Sequence, residues 1–385
     1  MHPSPTFSFH CRTKIICGKK ALEHLPMELQ ALDSRMPMVL AADKKRAGSV
    51  VAAFKGSGLT LAVMEGLPMP PSPEQAAQLA GLYRHHHCDA IIAVGAGALV
   101  DLARAVNVLV SRHSDDLAAF AGKDTLAGPL NPMILVPTAG GIALEASGTV
   151  MVGKVGIESA LLMPDLAVID TRLAVEEDPK AMAAMAMAAM AHGVEAATGP
   201  RRSPALDVYA LSALNLVAGH LIDTVHTDRR HRSLALLNAA VLAGGAFANG
   251  GQGMVHVLAA MARSQVDVPL GFFLGILTPY CLEYRHLKQA QPIGHLLLDL
   301  AGPETAAAAA PELHGAIVVN ALHALLFDID KASRGLIPST LAKAGLDRGI
   351  LNHLAEQAAQ THPDLCDYQA AAMVLDHAWQ GLPLV

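Results

Sequence analysis

Residues 95–101 read GAGALVD and follow the apolar run DAIIAVG. Gly95 and Gly97 permit backbone angles that other residues avoid, and with Ala96 between them they leave room for a pyrophosphate. A helix beginning near Ala98 directs its free amides and its partial positive end at such an anion. Asp101, in the first turn, suits the same helix end. Asp43 closes an earlier apolar run, PMVLAAD, where a carboxylate holds ribose hydroxyls and repels a 2′-phosphate. Together these residues could hold a dinucleotide. Each also has a plainer reading, as a tight strand-to-helix turn and as a loop aspartate.

Other groupings carry less chemistry. In RHHHC, residues 84–88, adjacent histidines on a helix point in different directions, and cations suit a helix C-terminus. The run DRRHR at 228–232 reads as a solvated face. Neither a Ser-His-Asp set nor a Cys-His nucleophile pair has a local signature.

The elements that would position the glycines alternate along the first half. PMVLAAD, LTLAVMEG, DAIIAVGAG and PMILVPTAGG are short apolar runs ending at turn residues, and SPEQAAQLAGLYRHHH has a Ser-Pro start with helical spacing. Alternating strands and helices imply a mostly parallel sheet covered on both faces. After about Asp178 the periodicity is helical. The expected fold is α/β followed by all-α: a Rossmann-like parallel-sheet domain over residues 1–178, a helical domain over 179–385, and a cleft between them.

The chain has 385 residues, 52% apolar but only 16% charged, with net charge −6. That balance lacks the electrostatic footprint of nucleic-acid or anionic-membrane binding. No signal-peptide order opens the chain, and no uninterrupted apolar run reaches the length of a membrane span, about 18 residues. Five cysteines without a CxxC pair read as reduced thiols of a cytoplasmic protein.

Taken together, these segments resemble the iron-containing (group III) alcohol dehydrogenase family, from about Thr13 to the C-terminal helices. GAGALVD is similar to the family's GGGSxxD. PTAGGIALE is similar to PTTAGTGSE, keeping Pro137, Thr138, Gly141 and Glu145. LMPDLAVIDTRL, AFANGGQGMVHVLA and DVPLGFFLGILTPYCLEY resemble later family segments, in order and spacing. The resemblance implies an NAD(P)-linked dehydrogenase, usually dimeric, whose iron or zinc polarises the substrate oxygen during hydride transfer. It also matches Asp43 to the family's aspartate favouring NAD, and places Thr138 and Ala139 at the cofactor.

Carried over residue by residue, the metal set is broken. His192 and His256 match two ligands, but the family's aspartate one turn before His192 is Ala188 and its last histidine is Leu270. A further histidine, linked to proton handling, falls on Ala260. A divalent ion needs at least three protein ligands, so the family metal is expected to be absent. Glu195 and Asp267 match residues outside the family's ligand set. His192 and His256 are expected to be neutral imidazoles hydrogen-bonded inside the cleft, and Tyr280 is either a proton donor there or a packed tyrosine. Hydroxyl positions of the cofactor segments have become Ala98, Ala139, Ile142 and Leu144, each loss weakening binding by about 0.5–1.5 kcal/mol.

Three functions follow. One is an NAD-linked oxidoreductase (NADP being the alternative) that acts on a small alcohol, aldehyde or ketone without the metal, using His192, His256 or Tyr280 for acid–base work. Another is a non-catalytic relative binding a nucleotide or partner. The last is lyase or isomerase chemistry in the same cleft.

Overall fold

The computed structural model describes residues 6–138, 147–174, 178–225, 230–290 and 292–384. Two units divide the chain, His10–Glu177 and Asp178–Val385. Phe9, whose ring centroid lies 5.1 Å from that of Tyr209, is grouped with the second.

In the first unit the strands are β1 (Lys14–Gly18), β2 (Pro37–Ala41), β3 (Ala62–Glu65), β4 (Ala90–Gly95), β5 (Gly122–Lys123), β6 (Met133–Pro137), β7 (Thr149–Val152), β8 (Val155–Glu158) and β9 (Leu166–Asp170). Six form a sheet in the order β1-β9-β6-β4-β2-β3, every pair parallel. Parallel sheets are covered on both faces, so their central strands are continuous apolar runs rather than alternating ones. PMVLA, AIIAVG, MILVP and LAVID are accordingly buried at every position.

The helices here are α1 (Leu25–Ala31), α2 (Lys44–Ala53), α3 (Pro73–His85), α4 (Ala98–Ser111) and the short α5 (Thr171–Ala174). Ser72 starts α3 by accepting from the Gln75 amide, with Pro73 in the first position. α3 stops after Arg84 and His85, whose charges suit its C-terminus. The strands β5, β8 and β7 form a second, smaller sheet that the sequence reading omitted. Arg104 of α4 ties this sheet down: its buried guanidinium donates to the carbonyls of Ser147 and Thr149, both at 2.8 Å.

The second unit comprises α6 (Pro179–Thr198), α7 (Pro204–His220), α8 (Arg230–Gly250), α9 (Met254–Arg263), α10 (Leu270–Lys288), α11 (Leu297–Ala308), α12 (His314–Ala332), α13 (Leu351–Thr361) and α14 (Tyr368–Gln380). Helix α6 is buried from Met182 through Thr198 and packs against α7, α8 and α10. Its run of alanine and methionine makes that possible, because a helix apolar all round has no solvent face to offer. On α10, a Cβ at Gly271 would sit 1.9 Å from the Ala184 carbonyl oxygen. Only glycine lets the start of α10 rest on α6.

Among the described residues two stretches, Pro204–Val225 and Pro311–Ala332, are long and apolar enough by length and composition to cross a membrane, at mean hydropathies of 1.5 and 1.3. A third passes only as the pair Leu234–Gly250 and Met254–Arg263, bent by 112°. None is an uninterrupted apolar run. In this structure α7 packs on α6, α8 and α11, and α12 packs on α10 and α11.

Candidate functional site

After β2 the chain adds β3 on one side, and after β4 it adds β6 and β9 on the other. The winding therefore reverses between β2 and β4, paired in register from Pro37↔Ala90 to Ala41↔Val94. Doubly wound sheets take ligands outside the carboxyl ends of strands at such a reversal. Here those ends carry Asp43 and the turn of Gly95, Ala96 and Gly97, joined by an Ala42 amide donating to the Val94 carbonyl at 3.1 Å.

Gly97 is the N-cap of α4, at φ 54° and ψ −125° and with no side-chain cap. That conformation is open to glycine and strained for any side chain. The first amides of a helix lack acceptors inside it, and the glycine that begins α4 puts no side chain in the way of an anion there. Asp101 lies in the first turn, 3.6 Å from the Arg104 guanidinium. Thr138 follows β6, is buried, and donates its amide to the Gly95 carbonyl at 3.2 Å. Ala139, Gly141, Ile142, Leu144 and Glu145 lie outside the described residues.

Asp43 caps α2 by accepting from the Arg46 amide at 2.8 Å, and pairs with the Arg46 guanidinium. Burial pushes its pKa up, but the Arg46 amide and guanidinium outweigh that and hold the carboxyl below its ordinary 3.8. An ionised carboxylate and an arginine thus stand together where the sheet reverses.

In the helical unit, His192 of α6 and His256 of α9 come together, with ring centroids 5.7 Å apart. Phe247 of α8 closes on both, at 4.7 Å and 5.3 Å. The expectation of hydrogen-bonded imidazoles is not met. Both ring nitrogens of His192 and Nδ1 of His256 are buried without a hydrogen-bond partner. Burial, with the neighbouring His256, pushes the pKa of His192 well below 6.5. Burial, with His362 nearby, pushes His256 down to about 4. The pair is neutral at physiological pH.

The family's metal can be tested against these side chains. Ala188, one turn before His192, is fully buried, Leu270 opens α10, and Ala260 is exposed. The four ligand positions hold two imidazoles and two hydrocarbon groups. Among the described residues no three His, Cys, Asp or Glu side chains come together as a metal site. The residues present do not fit the family's ion.

Glu195, one turn after His192, has a task the sequence reading missed. Its Oε1 accepts from the His256 amide at 3.2 Å, and the amides of Gly253 and Val255 also favour its charge. Glu195 therefore caps the N-terminus of α9 from another helix. Its Oε2 is buried with no partner. Burial dominates and pushes this carboxyl up to about 7. The 61 residues between Glu195 and His256 leave no local spacing by which to find the cap. Asp267 is exposed and pairs with Arg263 at 3.0 Å.

Tyr280 of α10 is buried and lies edge-on to His323 of α12, centroids 4.7 Å apart. Burial, then the charge of Glu283, pushes its hydroxyl up to about 12. The structure thus brings His192 and His256 together and seats Tyr280 against His323.

These shifts set a pH dependence of stability in chelator-treated protein. Between pH 6.5 and about 4.5, unfolding lets His192 and His256 each bind a proton they refuse when folded. Over the same window it lets Glu195 release one that it keeps when folded. The net uptake is one proton, so these groups make stability fall by about 1.4 kcal/mol per unit of pH decrease. As pH rises from 6.5 through about 7, the Glu195 contribution alone is lost, which places their combined maximum near pH 6.5. Denaturant titrations across pH check this. Glu195→Gln is expected to steepen the acid limb by about 1.4 kcal/mol per unit, and an unchanged slope would contradict the assignment.

Two family models match the chain. "Iron-containing alcohol dehydrogenase" covers residues 12–171, and "Fe-containing alcohol dehydrogenase family, C-terminal" covers residues 182–373. A 1,3-propanediol dehydrogenase of Citrobacter freundii is 26% identical over 354 residues, 90% of this chain and 87% of that protein. An NAD-dependent methanol dehydrogenase of Bacillus methanolicus is 23% identical over 385 aligned residues, covering 94% and 97%. The solved structure of a 1,3-propanediol oxidoreductase shares the fold, with a TM-score of 0.86 at 21% identity over 97% of this chain and all of that one.

Proposed function

The chain belongs to the iron-containing alcohol dehydrogenase family, and from that premise we propose that it moves hydride between NAD and a small alcohol, aldehyde or ketone without the family's metal. The observation that carries this reading is the positive-φ glycine that starts α4 at the sheet end that also carries Asp43, retained in a chain whose metal ligands are half hydrocarbon. Gly95, Ala96 and Gly97 receive the pyrophosphate, with Asp101 and Thr138 bracing the turn and Ala139 following it in sequence. The NAD-dependence named for the Bacillus methanolicus relative supports the choice of cofactor. A cytoplasmic homodimer belongs to the same proposal.

Within that reading His256, the less buried of the pair, meets the substrate oxygen and His192 backs it. A neutral imidazole offers one N–H donor, and such a donor can polarise a carbonyl as hydride arrives. Tyr280 serves as a second donor only if a substrate reaches past its packing on His323. The apolar surroundings exclude water, which strengthens one hydrogen bond to the oxygen. A second reading, a nucleotide-binding relative that no longer transfers hydride, is favoured by the unpartnered nitrogens of His192 and His256.

NADH fluorescence titration, followed by reduction assays on a panel of small aldehydes and ketones with and without chelator, tests the proposal. It predicts saturable NADH binding and turnover that chelator leaves unchanged. No binding at millimolar NADH would overturn it, and binding without turnover would select the second reading. Asp43→Ser keeps a capping oxygen, so α2 should lose less than about 1 kcal/mol. Removing the charge while leaving Arg46 should raise NADPH affinity relative to NADH about tenfold, or 1.4 kcal/mol. Unaltered preference in paired titrations would remove Asp43 from the cofactor site.

A further inference from the structure

A cavity of about 440 Å³ opens in the helical unit beside the cap of α9, lined in part by Glu195, Arg201, the 250–253 turn, Arg285 and Asp364. That volume falls in the range of small-molecule sites. Arg285 of α10 is half-buried; among the described residues its guanidinium makes one hydrogen bond, to Thr198 Oγ1 at 3.4 Å, and it also faces the charge of Glu195. Its nitrogens are not among the buried atoms that lack a partner, so the guanidinium keeps donors open to an acceptor that enters the cavity. The guanidinium of Arg201 lies over Gly251, where a Cβ would come 2.0 Å from its Nη2. Gly251 has φ +78°, so the turn brings backbone and arginine together at the same cavity.

Acidic groups face the same space. Glu195, which lines the cavity, holds the α9 amides with Oε1, while its Oε2 is buried and unpartnered. Asp364 is exposed at the rim, while Asp367 is engaged in capping α14 through the Ala370 amide at 2.8 Å. A simple anion would satisfy the arginines and leave Glu195 Oε2 alone. A simple cation would do the reverse.

We propose that this cavity binds a small amino or hydroxy acid, its carboxylate on Arg285 and Arg201 and its ammonium or hydroxyl on Glu195 Oε2. Arginine and carboxylate match in bidentate geometry, and the second group meets the orphaned oxygen. The site lies within the helical unit, is distinct from the proposed NAD turn, and stands whether or not the chain transfers hydride. Because Glu195 also holds the His256 amide, occupancy would be sensed at the backbone of the histidine pair itself.

Calorimetric titration of the full chain with glycine, serine, glycolate, acetate, inorganic phosphate and glycerol tests the assignment. The expected result is saturable binding of serine, glycine or glycolate, at least about tenfold tighter than acetate, phosphate or glycerol. Arg285→Gln should weaken that binding about tenfold or more, with Arg285→Lys falling between the two. If Arg285→Gln does not fold, the wild-type ranking of serine and glycolate over acetate and glycerol decides the matter alone. Phosphate binding tighter than every carboxylate would overturn the proposal. So would no binding of any probe at tens of millimolar, or affinity untouched by a folded Arg285→Gln. NADH binding in the same preparation separates this outcome from failure of the dehydrogenase reading.

Discussion

Replacing Ala188 with aspartate and Leu270 with histidine is expected to give this chain the divalent-ion site that we propose it lacks. Ala188 stands one helical turn before His192, so a side chain there shares its face of α6. Gly271 rests against Ala184, which brings the neighbouring Leu270 to the same helix. Either single replacement raises the donor count to three, the minimum for a stable site, and the pair raises it to four. In thermal melts, zinc at a hundred times its Kd should stabilise the double variant by about 2.7 kcal/mol, the single variants less, and the parent not at all. Without metal the order inverts, because Ala188 is fully buried and an unpaired carboxylate there costs several kcal/mol. A parent that responds to zinc as strongly as the double variant would contradict the account, as would a double variant that ignores zinc.

The second large effect is expected at the phosphate turn. Gly97 holds φ 54° and ψ −125°, a conformation that costs any side chain about 1–3 kcal/mol and a β-branched one most. Gly97→Val should lower the melting temperature and move the first amides of α4 away from a bound pyrophosphate. NADH affinity measured by fluorescence should fall at least about a hundredfold, some 2.7 kcal/mol, while circular dichroism still reports a folded chain. A folded Gly97→Val protein that binds NADH like the parent would remove the 95–97 turn from the cofactor site.

Much of the scaffold was readable because strong local rules apply to it. Parallel strands buried on both faces are written as unbroken apolar runs, and Ser72-Pro73 marks a helix start by its capping oxygen and missing amide. The small second sheet escaped because its strands are two to four residues long. The signal was present in TVMVGKVGIE, where Gly153-Lys154 joins β7 and β8 as a two-residue hairpin loop with Gly153 at φ +60°.

The candidate sites were legible to the extent that they are local. Gly95, Gly97 and Asp101 sit in one strand-turn-helix segment, and Asp43 reaches them because β2 and β4 are paired. The environment of the histidine pair was not legible. Whether His192 finds a hydrogen-bond partner depends on what α8 and α9 pack against it, and that turned out to be Phe247 and a second imidazole. The Glu195 cap and the bond from Arg285 to Thr198 depend likewise on contacts between segments 61 and 87 residues apart.

Elemental analysis of the chain, expressed with ample iron and zinc and purified without chelator, addresses the central claim most directly. The two imidazoles left by Ala188 and Leu270 predict iron and zinc together well below one atom per chain, unchanged by His256→Ala. One atom per chain, lost on that substitution, would contradict it.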